Sequence, residues 1–426
     1  MKTEILLVLI IFNLISSSCS NGDAESEITP TPPPVLKPEI ESLSSNFIIE
    51  GQTLVIKGLN FKSNESKTTV IINNKSYDIT PTANEISIKI NAEMGVEKSS
   101  LNVQVGAQKS TTEYFFIMPK KWHKIETQLE ILKAFIFDDT NEITLLEDTD
   151  ASSNSYYGAI LKLKTSENGY LPESLNIPGG NKSDLKMYNS QTGVAASSIT
   201  GYFTSDGFQN STAFGSFLDT DAYVDDVKIV YVDETSSIIV NCCADYMYTN
   251  DKGITFEYSS VWKELSMGNN IRFWSSNKLS DGYFYGAGLN AEKSPNANLI
   301  LKSADGISNW EILDDVTTPY SIGSDLKMLD TDLFLQVFHA DKQLQKSNDL
   351  AKTWVVVRSD VEKVFTQNKT NWYVLSVDSK LYSTNDSGNT WKLELELPSD
   401  SKINHMSFSE NKILLSGDNL LYIKHL

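Results

Sequence analysis

The chain has 426 residues, 40% of them hydrophobic and 10% aromatic, which at roughly 150 residues per domain points to two or three domains. Its 36 basic residues against 55 acidic ones leave a formal charge of −19, and such a balance argues against nucleic acid as a partner, because phosphate tracking needs a basic surface. Only Arg272 and Arg358 are arginines, so chemistry that needs three guanidinium groups at one site is excluded.

Residues 1–4 carry Lys2, residues 5–15 are apolar except for Asn13, and Ser16, Ser17, Ser18 and Cys19 follow. A basic start, a short apolar run and small residues before a cut define an export signal over residues 1–18. A cysteine directly after small residues resembles the bacterial lipobox. That resemblance implies acylation of Cys19 and anchorage of the mature chain in a membrane, a firm hold when two or three acyl chains are attached. The acidic residues Asp23, Glu25 and Glu27 resemble the surface-export signal of Bacteroidetes lipoproteins, which implies an outer-membrane protein exposed at the cell surface. Residues 19–35 form an acidic linker with Pro30, Pro32, Pro33 and Pro34, and consecutive prolines favour an extended polyproline II stalk.

Over residues 36–118, short alternating runs at 53–57, 69–72, 86–90, 101–105 and 114–117 are separated by turn residues. This pattern predicts an antiparallel β-sandwich. The segments Pro38-Glu39-Ile40-Glu41-Ser42-Leu43 and Gly51-Gln52-Thr53-Leu54-Val55-Ile56-Lys57-Gly58-Leu59-Asn60-Phe61 resemble the IPT/TIG family of immunoglobulin-like domains. The resemblance extends through Val70-Ile71-Ile72 and Leu101-Asn102-Val103-Gln104-Val105-Gly106, and implies a spacer or adhesive module without catalytic groups. Gly51 and Gly58 are expected in turns flanking a strand, with Phe61 packed beneath the second turn.

From residue 119 to 426 the sequence repeats. Thr384-Asn385-Asp386-Ser387-Gly388-Asn389-Thr390-Trp391 matches Thr249-Asn250-Asp251-Lys252-Gly253-Ile254-Thr255-Phe256. Weaker copies surround Asp305 with Trp310 and Asp349 with Trp354, and decayed ones surround Asp206 and Glu167. These resemble the Asp box of BNR-type propellers such as sialidases and sortilin-like receptors. The local physics is that of a tight hairpin: the aspartate accepts from turn N–H groups, glycine supplies positive φ, and the aromatic residue tucks under the turn. Acidic positions 167, 206, 251, 305, 349 and 386 recur with a period close to 44, which divides residues 119–426 into seven units. Each unit reads as four strands, so the expectation is an all-β protein, a sandwich followed by a β-propeller of seven blades, with six or eight as competitors. The last unit offers three strands, at 405–409, 412–415 and 420–423, and residues 121–127 are a plausible donor of the fourth. The decayed copies are expected to contribute less to stability than the intact ones.

The site chemistry narrows by elimination. Sialidases grip a carboxylate with three arginines, which this chain cannot assemble. A pair of carboxylates for glycoside hydrolysis stays open, although no pair stands out. The four histidines at 123, 339, 405 and 425 have no metal-ligand spacing with cysteine, and no cofactor motif is present. Adjacent Cys242 and Cys243 alternate across an apparent strand and read as packed thiols. Asp219, Asp221, Asp225 and Asp226 form the densest carboxylate group, a weak calcium candidate whose spacing is not an EF-hand loop. Trp262, Trp274, Tyr283, Tyr285 and Trp372 are the candidate ligand contacts, because an exposed aromatic face stacks on sugars or anchors a protein. The competing reading is that they pack blades. Asp251, Gly253, Asp305, Asp349, Asp386, Gly388 and Trp391 are assigned to structure. The expected function is noncatalytic binding of a polysaccharide or a surface protein, and the alternative is a glycoside-degrading enzyme with an unrecognised carboxylate pair.

Overall fold

The computed structural model describes residues 36–426 apart from 63–65, 96, 150–157, 167–168, 176, 178–181, 198–199, 216–226, 241–244, 261–264, 266–270, 291–296 and 317–325. The N-terminal module is a sandwich of two sheets. One holds Glu39–Leu43, Thr53–Leu59 and Glu85–Lys89; the other runs Phe47–Ile49, Glu113–Met118, Glu97–Val105, Thr68–Ile72, Lys75–Ile79. Alternation in Thr53–Leu59 buries Leu54 and Ile56, which meet Val70, Ile72, Ile86, Leu101 and Val103 in one core. Phe61 is fully buried there, as the sequence suggests. Gly51 takes a turn conformation with φ 91°. Gly58 does not sit in a turn. It lies inside its strand, where the carbonyl of Glu39 and the ring of Phe61 occupy the space a Cβ would need. Close approach, and not positive φ, selects glycine at that position.

Beyond residue 118 the described residues form seven four-stranded antiparallel sheets. Blades 1 to 6 are continuous in sequence, over 131–174, 184–214, 228–260, 271–316, 327–358 and 361–396. Blade 7 combines Ile403–Phe408, Lys412–Gly417 and Leu420–His425 with His123–Ile125. His123 pairs with Ile423 and Ile125 with Leu421. The ring is therefore closed by the segment that follows the sandwich, which removes the free outer edge of the last blade. The first strands of neighbouring sheets face one another, so they line the axis. Seven apolar clusters sit between successive blades; Leu335, Val337 and Leu344 of blade 5, for example, meet Val364, Trp372 and Val374 of blade 6.

Because strands run up and down, turns between strands one and two and between three and four share one face. Connections between strands two and three, and from one blade to the next, share the other. The sandwich packs at the first of these faces: Phe47 and Ile49 join the cluster of Met118, Ile131, Leu163 and Ile423, and the Phe47 ring meets Tyr170 edge-on at 5.9 Å.

Candidate functional site

Five aspartate turns follow one pattern. In blade 6, Asp386 accepts from the amide of Thr390 at 2.9 Å and from its hydroxyl at 2.6 Å, and the Thr384 hydroxyl donates to Asp386 at 2.7 Å. The amide of Gly388, with φ 87°, donates to that Thr384 hydroxyl at 3.0 Å. Asp251 and Asp349 repeat the arrangement on Thr255 and Thr353. Asp305 reaches Ser308, one residue closer.

The copy around Asp206 is not decayed in structure. Asn210 replaces the threonine, its amide donating at 2.9 Å and its side chain at 2.7 Å, while Phe208 accepts a φ of 66° in the glycine's place. Hydrogen-bond geometry outlasts the consensus residues, because any short donor side chain suits the aspartate. In blade 1 the expected copy at Glu167 lies outside the described residues, between Ser166 and Gly169, which pair with each other. Hydrogen bonds from Thr390 and Thr384 hold the Asp386 carboxyl at about 2. For Asp206, burial opposes ionisation, yet the Asn210 bonds outweigh it and keep the group below its ordinary value. Trp310 is buried, and Trp354 and Trp391 are half-buried, each against an inter-blade cluster.

The aromatic candidates do not assemble into one face. Trp372 is 0% exposed, with its Nε1 donating to the Asn368 carbonyl at 3.1 Å. The spacing that left it outside the repeat hid a core position between blades 5 and 6, so it cannot stack on a ligand. Tyr285 is likewise withdrawn: it is 3% exposed and its hydroxyl donates to Asp281 at 2.9 Å. Tyr283 is 42% exposed at the first turn of blade 4, with the Lys302 ammonium 3.9 Å from its ring centroid. Trp274 lies in the first strand of blade 4, at the bulge between Phe273 and Ser275. Trp262 lies outside the described residues, between Glu257–Ser260 and Ile271–Lys278. The strand ends it connects are at the face opposite Tyr283. Asp219, Asp221, Asp225 and Asp226, and Cys242 and Cys243, also lie outside the described residues. Among the described residues no group of three or more potential ligands gathers around a metal position.

The axis carries a second repeated feature. Every first strand carries a basic residue followed by an apolar one, Lys133, Lys186, Lys228, Arg272, Lys327, Lys363 and His405, and the first strand of blade 4 ends on a second, Lys278. The signal is present in the sequence as a basic residue followed by a hydrophobic one near the start of each unit. In the fold four of these side chains, those of Lys133, Lys186, Lys363 and His405, reach to the next blade. Lys133 pairs with Asp184, Lys186 Nζ donates to the Val230 carbonyl at 2.7 Å, and Lys363 Nζ donates to the Ile403 carbonyl at 2.6 Å. His405 Nδ1 lies 3.0 Å from the Ala134 carbonyl. A first strand exposes an unpaired backbone edge to the channel, and a charged side chain laid along it satisfies carbonyls and blocks further strand pairing. Burial and the nearby Lys133 ammonium lower Lys186 to about 8 against the pull of Asp184. Burial, then Lys133 and, more weakly, Lys327, lower His405 to about 3. Groups from blades 1, 5 and 7 therefore share one field.

The fold and these turns define a β-propeller on an immunoglobulin-like module. Residues 38–117 match the IPT/TIG domain. No curated protein matches the chain. Among solved structures, YCF48 from Cyanidioschyzon merolae is similar at 13% identity and TM-score 0.52, covering 72% of this chain and 98% of that one. "YCF48 bound to D1 peptide" is similar at 14% identity and TM-score 0.50, covering 72% and 95%. The WD40 β-propeller domain of Doa1 has 11% identity and TM-score 0.49, covering 71% and 94%. At such identities the likeness to YCF48 concerns the fold.

Proposed function

We propose that this is a lipid-anchored surface protein whose Asp-box propeller binds a polysaccharide or a surface protein without catalysis. The observation that carries this reading is the seat of the sandwich. Phe47 and Ile49 pack at the face of the aspartate turns, so a chain tethered at Cys19 and raised by its proline-rich linker presents the opposite face outward. The blade-to-blade connections belong to that face, and such loops vary freely on a rigid ring. Trp262 falls in one of them. With Trp372 and Tyr285 in the core, Trp262 and Trp274 remain the aromatic residues to test for ligand contact.

Two experiments check the two halves. Cys19→Ala should move the protein from the membrane to the soluble fraction, and unchanged membrane association overturns the anchor. Calorimetric titration of the chain from residue 20 onward against a glycan panel should show binding that weakens in Trp262→Ala. Release of reducing ends establishes an enzyme instead, and full binding by Trp262→Ala and Trp274→Ala places the site elsewhere.

A further inference from the structure

The chain has four histidines, and three of them, His123, His405 and His425, lie in blade 7. This is the blade assembled from both ends of the propeller, and its donated strand is held by three residue pairs, from His123 with Ile423 to Ile125 with Leu421. His425 is 3% exposed, and among the described residues neither of its ring nitrogens has a hydrogen-bond partner. Ser407 Oγ in the same blade and Trp122 Nε1, next to the donated strand, are likewise buried without partners. Each unsatisfied polar group weakens the joint that buries it. An imidazole in such a place is tolerated neutral, because no acceptor is there to compensate a charge. Lys412 lies opposite it in the neighbouring strand, His123 comes from the donated strand, and Asp138 from the first turn of blade 1. The Asp138 carboxylate is taken up by the Ser409 hydroxyl and the amides of Glu410 and Asn411. His405 stands at the joint with blade 1, its ring 4.9 Å from that of Phe135 and its Nδ1 at the Ala134 carbonyl, with Lys133 and Lys327 as the charges that act on it.

We propose that blade 7 is an acid-sensitive latch: with His425 and His405 neutral the ring is closed, and their protonation in mild acid charges the joint and releases the pairing of Leu420–His425 with His123–Ile125 before the other blades open. The sign follows from burial. Burial, then Lys412 and His123, lower His425 to about 4 against the pull of Asp138, whereas a histidine released into water titrates near about 6.5. The released strand therefore binds more protons over that window, and closure weakens as pH falls from about 6.5 towards 4. Burial and the two lysines act on His405 in the same direction. Local opening of one unit ahead of the rest is the ordinary behaviour of a fold whose least satisfied contacts are gathered in one place. The latch is independent of which loops hold the ligand proposed above.

The test is amide hydrogen exchange of the full chain in mild detergent between pH 7 and 4, with protection corrected for the intrinsic rate at each pH. Protection of Leu420–His425 and His123–Ile125 should fall about tenfold or more between pH 7 and 5, while Trp372–Ser376 in blade 6 keeps its own. His425→Phe, which fills the same space and takes no proton, should retain most of the protection at pH 5. Should that variant fail to fold, the wild-type readout decides: the fall must begin near about pH 6.5, where a released histidine titrates, and be absent from blade 6. No fall, an equal fall in blades 6 and 7, or the same fall in folded His425→Phe each overturns the latch. So does a fall that begins only below about pH 4, which belongs to carboxylates.

Discussion

The ammonium of Lys412 in blade 7 donates to the carbonyl of Phe137 in blade 1 at 2.9 Å, across 275 residues of chain. It also reaches the Thr140 carbonyl at 2.5 Å, and next to it Asp138 accepts from the amides of Glu410 and Asn411 at 2.8 and 3.0 Å. This polar seam and the His123–Ile125 strand together join the ends of the propeller. Lys412→Ala orphans two carbonyls and should cost about 1–3 kcal/mol, read as a lower urea midpoint. An unchanged midpoint would place the closure entirely in the donated strand.

The aspartate turns should be equal where their hydrogen bonds are equal. Asp206→Ala and Asp386→Ala are expected to lower the denaturation midpoint by similar amounts, contrary to the ranking that consensus sequence suggests. A loss confined to Asp386→Ala would show that the Asn210 bonds contribute nothing.

Acid should act through the same groups. Asp386 and Asp330 titrate at about 2 in the folded chain, below the ordinary value near about 3.9 in an unfolded one. Their stabilisation is therefore complete above about pH 4 and is lost as pH falls towards 2. Asp386→Asn should flatten the fall in Tm across that window; an identical slope in wild type and variant would refute the assignment.

Trp372→Ala removes a fully buried ring between blades 5 and 6 and should cost about 3–5 kcal/mol. Ligand binding by the fraction that folds should be intact. Loss of binding with full stability would return Trp372 to the list of contacts.

On the alkaline side the slope has the same sign, although the groups are cations. Lys186 and Lys182 are lowered by burial to about 8, so between about pH 8 and 10 the unfolded chain binds more protons and stability rises with pH. Raised tyrosines such as Tyr373, at about 12, limit the window: they ionise first in the unfolded state above about pH 10. Lys186→Met should reduce the rise measured by thermal melts from pH 8 to 10.

Sequence alone determined what is local. Asp386 and Thr390 are four residues apart, so their hydrogen bond, and with it the period of the turns, could be read from the chain. The alternation of Leu54, Ile56 and their partners marked the sandwich, and the strand count missing after Leu420–His425 pointed to a donor near residue 123. Tertiary structure alone decided what depends on neighbours distant in sequence. Gly58 was fixed by the approach of Glu39 and Phe61, and Trp372 by a pocket that blade 5 completes. The first-strand lysines look like solvated residues in any single unit; only the next blade supplies the carbonyls of Val230 and Ile403 that Lys186 and Lys363 reach. Burial and electrostatic field are properties of everything within a few ångströms, and a linear sequence records only the neighbours that are covalently near.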